Sequence, residues 1–266
     1  MNATLHAEVA LLLQDAAERF VVPRFQRLAA GDAAEKSPGE WVTIVDREVE
    51  AMLTPALQAL RPGARVVGKE ACAEQPRLLD TVGEGEVWLV DPLDGTGNFM
   101  AGRPEVAVLV ALLREGETVA GWLLDPLRGT LCTAERGAGA WRGGQRLQAV
   151  ATAAANGLRG IVKTRFLPPD LKPRMLQRAA ALREMQAGVN SAGVEYPQIV
   201  AGQSDFALYW RTLPWDHAAG VLFLQEAGGH AARPDGSAYR PAEQREGLLA
   251  AADRETWNAA RALLGL

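Results

Sequence analysis

Apolar residues in the first sixty positions recur at helical spacing, in two groups. The first group is Leu5, Val9, Leu12, Leu13, Ala16 and Phe20. It predicts an amphipathic helix that is interrupted near Pro23, because proline removes a backbone donor and blocks the preceding turn. The second group is Val49, Met52, Leu53, Leu57 and Leu60. It predicts a second helix that starts near Asp46, so the chain opens with two helices that each need an apolar surface to cover.

The rest of the chain mixes strand-like and helix-like stretches. Short β-type runs at 65–68 and 86–90 precede two longer runs at 106–113 and 118–124, with a hairpin turn at 114–117, and β-rich sequence continues to about residue 150. Beyond it, strand patterns at 160–164, 204–210 and 247–253 alternate with helical patterns after 170, 215 and 253. Since no βαβ rhythm is sustained, we predict an α+β fold of layered sheets and helices.

Composition narrows the class of protein. The chain has 266 residues, 48% of them hydrophobic, and a formal net charge of −4. It is long enough for a large packed core, and it gives no reason to expect nucleic acid or a membrane as partner. The two cysteines have no metal-ligand spacing, which favours a reducing cytoplasm. No apolar run approaches the roughly 18 residues that a membrane span needs.

The most informative segment is WLVDPLDGTGNF at 88–99, where an apolar strand ends in two acids and a glycine-rich turn. Asp91 and Asp94 would lie close together at one sheet edge, where two free carboxylates repel each other unless a cation or a proton intervenes. Mg²⁺ prefers such oxygen ligands, and the backbone N–H groups of Gly95 and Thr96 could cradle a phosphate. The same residues are also common in simple turns, so the segment alone leaves both interpretations open.

Two further segments support the chemical interpretation. WLVDPLDGTGNF resembles the first signature of the inositol monophosphatase family, and WDHAAGVLFLQEAGG at 215–229 resembles the second. Asp91 and Asp216 are 125 residues apart, close to the usual spacing in that family. EWVTIVDRE at 40–48 is similar to a third family segment. The resemblance covers nearly the whole chain and places it in the magnesium-dependent, lithium-sensitive phosphatase superfamily.

The resemblance implies a layered αβαβα sandwich, with an N-terminal lobe at 1–150 that carries the metal-binding acids and a C-terminal lobe at 151–266, together one compact unit. It also implies a Mg²⁺-dependent phosphomonoesterase with two or three ions, most often a homodimer. The implied metal ligands are Asp91, the backbone carbonyl of Leu93, Asp94 and Asp216. Asp46 and Thr96 would orient the attacking water, and the N–H groups of Gly95 and Thr96 would hold the phosphate.

One metal ligand of the family is replaced. The family has Gly-Glu-Glu after its third strand, and this chain has GKEACAE, with Lys69 at the position of the first glutamate. An ammonium group cannot bind Mg²⁺. In one interpretation, a small shift in register lets Glu70 act as metal ligand and catalytic acid. In the other, Lys69 partly replaces an ion, and the protein is slow or binds phosphate ligands without hydrolysing them.

The substrate end also departs from inositol-specific members. The turn expected to touch the sugar reads SAGVEYPQ at 191–198, which offers Gly193, Val194 and Glu195 as pocket residues. Tyr209 stands where those members carry a glutamate, and Arg211 could reach a second phosphate or a carboxylate, or be a solvated surface residue. We therefore expect an inositol phosphate or sugar phosphate as substrate. Fructose 1,6-bisphosphate or a 3′-phosphonucleotide is the alternative, and a role with RNA finds no support in the charge of the chain.

Overall fold

The computed structural model describes residues 3–151 and 157–266. Residues 152–156, just after the predicted lobe boundary, lie outside the described part, as do the first two residues. The helices of residues 3–151 are α1 (Ala3–Ala16), α2 (Ile44–Leu60), α3 (Lys69–Glu74) and α4 (Thr96–Met100). The strands there are β1 (Ala33–Ser37), β2 (Glu40–Thr43), β3 (Arg65–Gly68), β4 (Glu86–Asp94), β5 (Ala107–Arg114), β6 (Glu117–Asp125), β7 (Thr130–Glu135), β8 (Gly139–Arg142) and β9 (Gln145–Leu147).

Residues 157–266 continue the same numbering. Their strands are β10 (Arg159–Val162), β11 (Glu184–Gln186), β12 (Phe206–Tyr209), β13 (His230–Ala232) and β14 (Leu248–Ala251). Their helices are α5 (Leu171–Ala179), α6 (Ala192–Val200), α7 (Pro214–Glu226) and α8 (Arg254–Leu264). Asp253 caps α8 by accepting a hydrogen bond from the N–H of Thr256 at 2.6 Å.

Two sheets organise the described residues. β3 to β9 form a seven-stranded sheet in chain order, in which β3 and β4 are parallel and the other neighbours antiparallel. A five-stranded mixed sheet has the order β11-β10-β12-β14-β13. β1 and β2 form a separate hairpin that leads into α2.

Helices cover both faces of each sheet. α1 and α2 pack on one face of the seven-stranded sheet, where Trp88, Val90 and Val110 point. Val87 and Leu89, on the opposite face, contact the layer formed by α6 and α7. The five-stranded sheet covers the other side of that layer, and its far face packs against α5 and α8. The order of layers is therefore helix, sheet, helix, sheet, helix, and the predicted α+β layered fold is confirmed.

Small residues at two points allow the middle helix layer to pack closely against its neighbours. A Cβ atom on Gly121 of β6 would lie 2.9 Å from the Cα of Ala219 in α7. A Cβ atom on Gly220 would overlap the ring of Tyr196 in α6. α7 is in contact with β4, and Asp216 in the first turn of α7 lies near Asp91 and Asp94 of β4. The Ala-Ala-Gly run of the second signature thus positions Asp216.

Other sequence-based expectations can be compared directly. The first helix gives way to a wider turn at Ala17–Val21 and a tight turn at Val22–Arg24, so the predicted interruption near Pro23 is present. β5 and β6, the two longer strands expected from the sequence, are mostly buried inside the sheet. None of the helices within 3–151 and 157–266 has the length and apolar character required to cross a bilayer.

Candidate active site

The two acids of the first signature lie where β4 leaves its regular pairing with β5. Asp91 is opposite Leu109 and Asp94 is opposite Ala107, and the register between them is irregular. Asp91 is fully buried and accepts a hydrogen bond from the N–H of Leu93 at 3.1 Å. Asp94 Oδ2 accepts hydrogen bonds from Ser191 Oγ at 2.8 Å and the N–H of Gly193 at 2.7 Å. The start of α6 therefore fixes Asp94.

Gly95 can only be glycine in this turn. Its φ is +86°, in the left-handed region, and a Cβ atom there would lie 2.7 Å from the carbonyl oxygen of Glu105. Its carbonyl accepts the N–H groups of Asn98 and Phe99, which begins α4. Asn98 Nδ2 donates to the carbonyls of Glu105 at 2.7 Å and Val189 at 2.6 Å. The turn is thereby tied to the loop that precedes α6.

Asp46 and Thr96 come together from α2 and α4. Asp46 Oδ1 lies 3.0 Å from the hydroxyl of Thr96, which also lies 2.9 Å from the Leu93 carbonyl. Asp46 Oδ2 accepts the N–H of Thr43 at 2.8 Å and its hydroxyl at 2.6 Å, in a capping box at the start of α2. Burial raises the pKa of Asp46. The structure thus joins the two residues predicted to orient water.

Lys69 reaches the centre of the acid cluster. Its Nζ lies 2.9 and 3.2 Å from the two carboxylate oxygens of Asp91 and 3.2 Å from the carbonyl oxygen of Leu93. Burial acts to lower the pKa of Lys69, but the charges of Asp91, Asp46 and Asp216 outweigh it and hold that pKa above its ordinary value. The lysine is therefore charged, and it contacts two of the groups predicted to ligate metal.

Glu50 holds the segment that presents Lys69. Its carboxylate accepts the N–H of Glu70 at 2.8 Å and the N–H of Ala71 at 2.7 Å, and so fixes the first turn of α3. The backbone passes so close that a Cβ atom on Gly68 would overlap this carboxylate. Glu50 follows Asp46 by four residues on the buried side of α2, so helical spacing was the signal that could have identified it.

Glu70 faces another partner. Both of its carboxylate oxygens lie 2.9 Å from Nζ of Lys36. A role for Glu70 as metal ligand and catalytic residue requires that this ion pair open. That role remains a prediction. The register shift considered from the sequence is not what the structure has, because Lys69 rather than Glu70 contacts Asp91.

Asp216 enters from the far side of the cluster on α7. It stands in the first turn of the helix, three residues after the N-cap residue Leu213. Burial and the charges of Asp91 and Asp94 raise the pKa of Asp216. Burial and the charge of Asp91 likewise raise the pKa of Asp94, to about 7. Four carboxylates thus meet one ammonium group.

Asp46 and Asp91 are fully buried, but they contact Thr96 and Lys69, which line a cleft. This cleft of about 650 Å³ is also lined by Asp94 and Asp216, and its size suits a small molecule. Basic side chains contribute much of its wall: Lys36, Lys69, Arg103, Lys163, Arg165 and Arg211. Arg211 pairs with Glu40, and its guanidinium lies 4.0 Å from the ring centroid of Phe166. Arg165 lies 4.9 Å from the same ring.

The predicted substrate residues divide into two groups. Glu195, Tyr209 and Arg211 line the cleft, and Glu195 is paired with Lys163. Among the described residues, Gly193 and Val194 are not part of that lining. Gly193 is buried against β5, where a Cβ atom would lie 2.6 Å from both Ala107 and Leu109, and only its N–H serves the site. The segment 192–200 is a helix instead of the expected turn, so one face of it borders the cleft and the other packs into the core.

Comparison with known proteins agrees with this geometry. The family model described as "Inositol monophosphatase family" matches residues 4–264. The chain belongs to the inositol monophosphatase family.

Among curated relatives of this family member, an inositol-1-monophosphatase of Mesorhizobium japonicum is 34% identical over 214 residues, 76% of this chain and 75% of the relative. A Nus factor SuhB of Pseudomonas aeruginosa is 32% identical over 230 residues, covering 83% and 82%. Among solved structures, inositol monophosphatase II of Staphylococcus aureus superposes with a TM-score of 0.81 at 25% identity, covering 98% and 94% of the two chains. The predicted family is confirmed.

Inositol monophosphatase family members depend on metal ions, so the fit of this site to a metal needs a direct test. Lys69 bonds to Asp91 and the Leu93 carbonyl, and an ion cannot share that position with an ammonium group. Within 3–151 and 157–266, no group of three or more His, Cys, Asp or Glu side chains is arranged to hold a metal. Asp94 and Asp216 still provide carboxylates with more negative charge than Lys69 balances, a donor set that suits one hard cation.

Proposed function

We propose that this family member hydrolyses a small phosphate monoester in the cleft, in a reaction that depends on a divalent cation such as Mg²⁺. The observation that carries the proposal is the convergence of Asp46, Thr96, Asp94 and Asp216 from four different elements on one buried point. Asp94 and Asp216 would hold the cation. When bound, it would lower the pKa of a water molecule and offset the charge of the phosphate.

The chain's own groups divide the remaining work. Asp46 and Thr96 would accept hydrogen bonds from the attacking water and orient it, since their oxygens lie 3.0 Å apart and Thr96 lines the cleft. The N–H groups of Gly95 and Thr96 would bind phosphate oxygens, because the left-handed turn at Gly95 directs the start of α4 toward the cleft. Glu195, Tyr209 and Arg211 would contact the part of the substrate that carries the ester.

The cleft wall supports a proposal for the substrate class. Tyr209 is buried against Tyr196, with ring centroids 5.7 Å apart, so the acidic contact of inositol-specific members is replaced by an aromatic surface. The two relatives named for inositol 1-phosphate or fructose 1,6-bisphosphate activity, from M. japonicum and Thermotoga maritima, support a sugar or cyclitol phosphate. Arg165 and Arg211 beside Phe166 favour, as a second candidate, a substrate with another anionic group, such as a bisphosphate or a 3′-phosphonucleotide.

A phosphate-release assay with and without Mg²⁺ tests the proposal. The substrates are inositol monophosphates, fructose 1,6-bisphosphate, a 3′-phosphonucleotide and histidinol phosphate. Asp91→Asn is the control for contaminating phosphatase, with thermal melting to show that it folds. We expect Mg²⁺-dependent release that is lost in the variant. No release from any substrate by a folded protein would instead support a member that binds phosphate ligands without hydrolysing them.

We also propose that the protein acts in the cytoplasm on small metabolites, consistent with Cys72 and Cys132 both being buried free thiols. Homodimer formation remains a prediction.

A further inference from the structure

The position of Lys69 has the features of a bound cation. Its ammonium group meets a fully buried carboxylate at 2.9 and 3.2 Å and a backbone carbonyl at 3.2 Å, both of them oxygen groups of the kind that bind hard cations. The Lys69 side chain is only 17% exposed, yet it lines the floor of the cleft. Its charge therefore acts in a shielded environment, where it is felt more strongly than in water.

The fold fixes this position. Gly68 and Val90 are partners in the parallel pair of β3 and β4, so Lys69, the first residue after β3, lies beside Asp91 in β4. The carboxylate of Glu50 holds the next two backbone N–H groups. Turning the helix so that Glu70 faced Asp91 would break both hydrogen bonds and the ion pair of Glu70 with Lys36.

We propose that Lys69 is a tethered cation that takes the place of one divalent ion. The chain therefore binds one metal ion fewer than it would with a carboxylate at position 69. The positive charge of Lys69 neutralises Asp91 and helps to attract the phosphate group into the cleft. The inference rests on the proposed function only for the identity of the phosphate ligand, because the number of ions bound is measured without any substrate.

Counting bound Mn²⁺ by calorimetry and by electron paramagnetic resonance tests the proposal. Lys69→Glu should bind one more Mn²⁺ per chain than the wild type. Lys69→Gln, which removes the charge and adds only a neutral amide oxygen, is the second variant in case Lys69→Glu does not fold. For both variants, saturating Mn²⁺ should raise the melting temperature more than it does for the wild type, because the ion replaces the lost charge.

Lys36→Gln is the matched control. Lys36 is the other cleft lysine bonded to both oxygens of one carboxylate, and its removal releases Glu70. We expect no additional ion in this variant. If Lys36→Gln gained an ion and the Lys69 variants did not, Glu70 would be the metal ligand and the proposal would be wrong. Equal ion counts in the wild type and both Lys69 variants would also overturn it.

The two proposals fail separately. If the wild type releases no phosphate but Lys69→Glu binds an additional ion, the proposal of a tethered cation is supported and the proposal of hydrolysis is wrong. If the wild type releases phosphate in a Mg²⁺-dependent reaction but the Lys69 variants bind no additional ion, the proposal of hydrolysis is supported and that of a tethered cation is wrong. In an active enzyme, Lys69→Gln assayed at low Mg²⁺ should release phosphate at least tenfold more slowly than the wild type.

Discussion

Gly68 and Val90 are paired across the parallel strands β3 and β4, and this pairing places Lys69 directly beside Asp91. The resemblance to the family implies a glutamate at position 69, so a lysine would reverse the charge at the centre of the site. Because Asp91 is fully buried, the pair cannot be regarded as an exposed salt bridge of little consequence. Removing either partner leaves the other charge buried and unpaired.

The turn at Gly95 gives a direct test of the phosphate cradle. Gly95→Ala forces an L-residue into φ +86° and against the Glu105 carbonyl, so we expect a loss of about 2 kcal/mol or more in the free energy of unfolding, and little phosphate release. Gly97→Ala is the matched control, because a Cβ atom there meets nothing within 4 Å. Chemical denaturation should show that Gly97→Ala is as stable as the wild type; equal losses in both variants would argue against the strained turn.

Thr96 and Thr43 hold the two oxygens of Asp46, and their variants should differ in the loss of kcat. Thr96→Val removes the hydroxyl that lies 3.0 Å from Oδ1, and we expect a loss in kcat of about 10²-fold. It should also cost about 1–3 kcal/mol in stability, because a buried oxygen of Asp46 loses its partner. Thr43→Ala removes the helix cap and should cost about 1 kcal/mol in stability with a smaller loss in kcat. Steady-state kinetics and urea unfolding check both values. If Thr43→Ala lost more activity than Thr96→Val, the role of Thr96 would be structural.

Glu50 should contribute to the stability of the protein and hold Lys69 in place. An amide at this position offers only one acceptor for two N–H groups, so Glu50→Gln should lose about 1–3 kcal/mol of stability and let Lys69 move. Glu48→Gln, on the same helix, removes only a partly exposed ion pair with Arg24 and should cost under about 1 kcal/mol. Urea unfolding of both variants measures the difference, and similar values would contradict the role given to Glu50.

His217 predicts a pH dependence of stability. It is buried behind Asp216, its Nδ1 lies 3.0 Å from the Tyr196 hydroxyl, and burial lowers its pKa to about 3. Below about pH 6.5, this histidine binds a proton in the unfolded chain but stays neutral in the folded chain until the pH approaches 3. The contribution of His217 to the free energy of unfolding is therefore complete above pH 6.5 and declines as the pH falls toward 3.

The decline amounts to about 2 kcal/mol between pH 6.5 and 5 for a single group. Asp94 and Asp216 have raised pKa values, so their protonation stabilises the folded protein as the pH falls. This opposite effect is present in the wild type and in a His217 variant alike, so comparing the two isolates the effect of His217. The stability difference between the wild type and His217→Gln should narrow by that amount on going to pH 5. A constant difference would show that His217 is protonated in the folded protein.

Sequence reasoning recovered the elements that carry strong periodicity or caps. The helix expected from Asp46 is α2, and the strand that ends at the first signature is β4. α6 was missed because Gly193 and Pro197 make its sequence look like a turn, and packing between two sheets overrides that preference. Which way Lys69 and Glu70 point could not be read from the sequence, because it depends on the pairing of β3 with β4 and on Glu50, which is 19 residues away from Lys69.

The most direct test of Lys69 as a tethered cation is an anomalous-scattering map from crystals of the wild-type protein soaked in Mn²⁺. We predict that any peak lies at Asp94 and Asp216, and that Lys69 Nζ stays between Asp91 and the Leu93 carbonyl. A Mn²⁺ peak at that position, with the lysine displaced, would contradict the account.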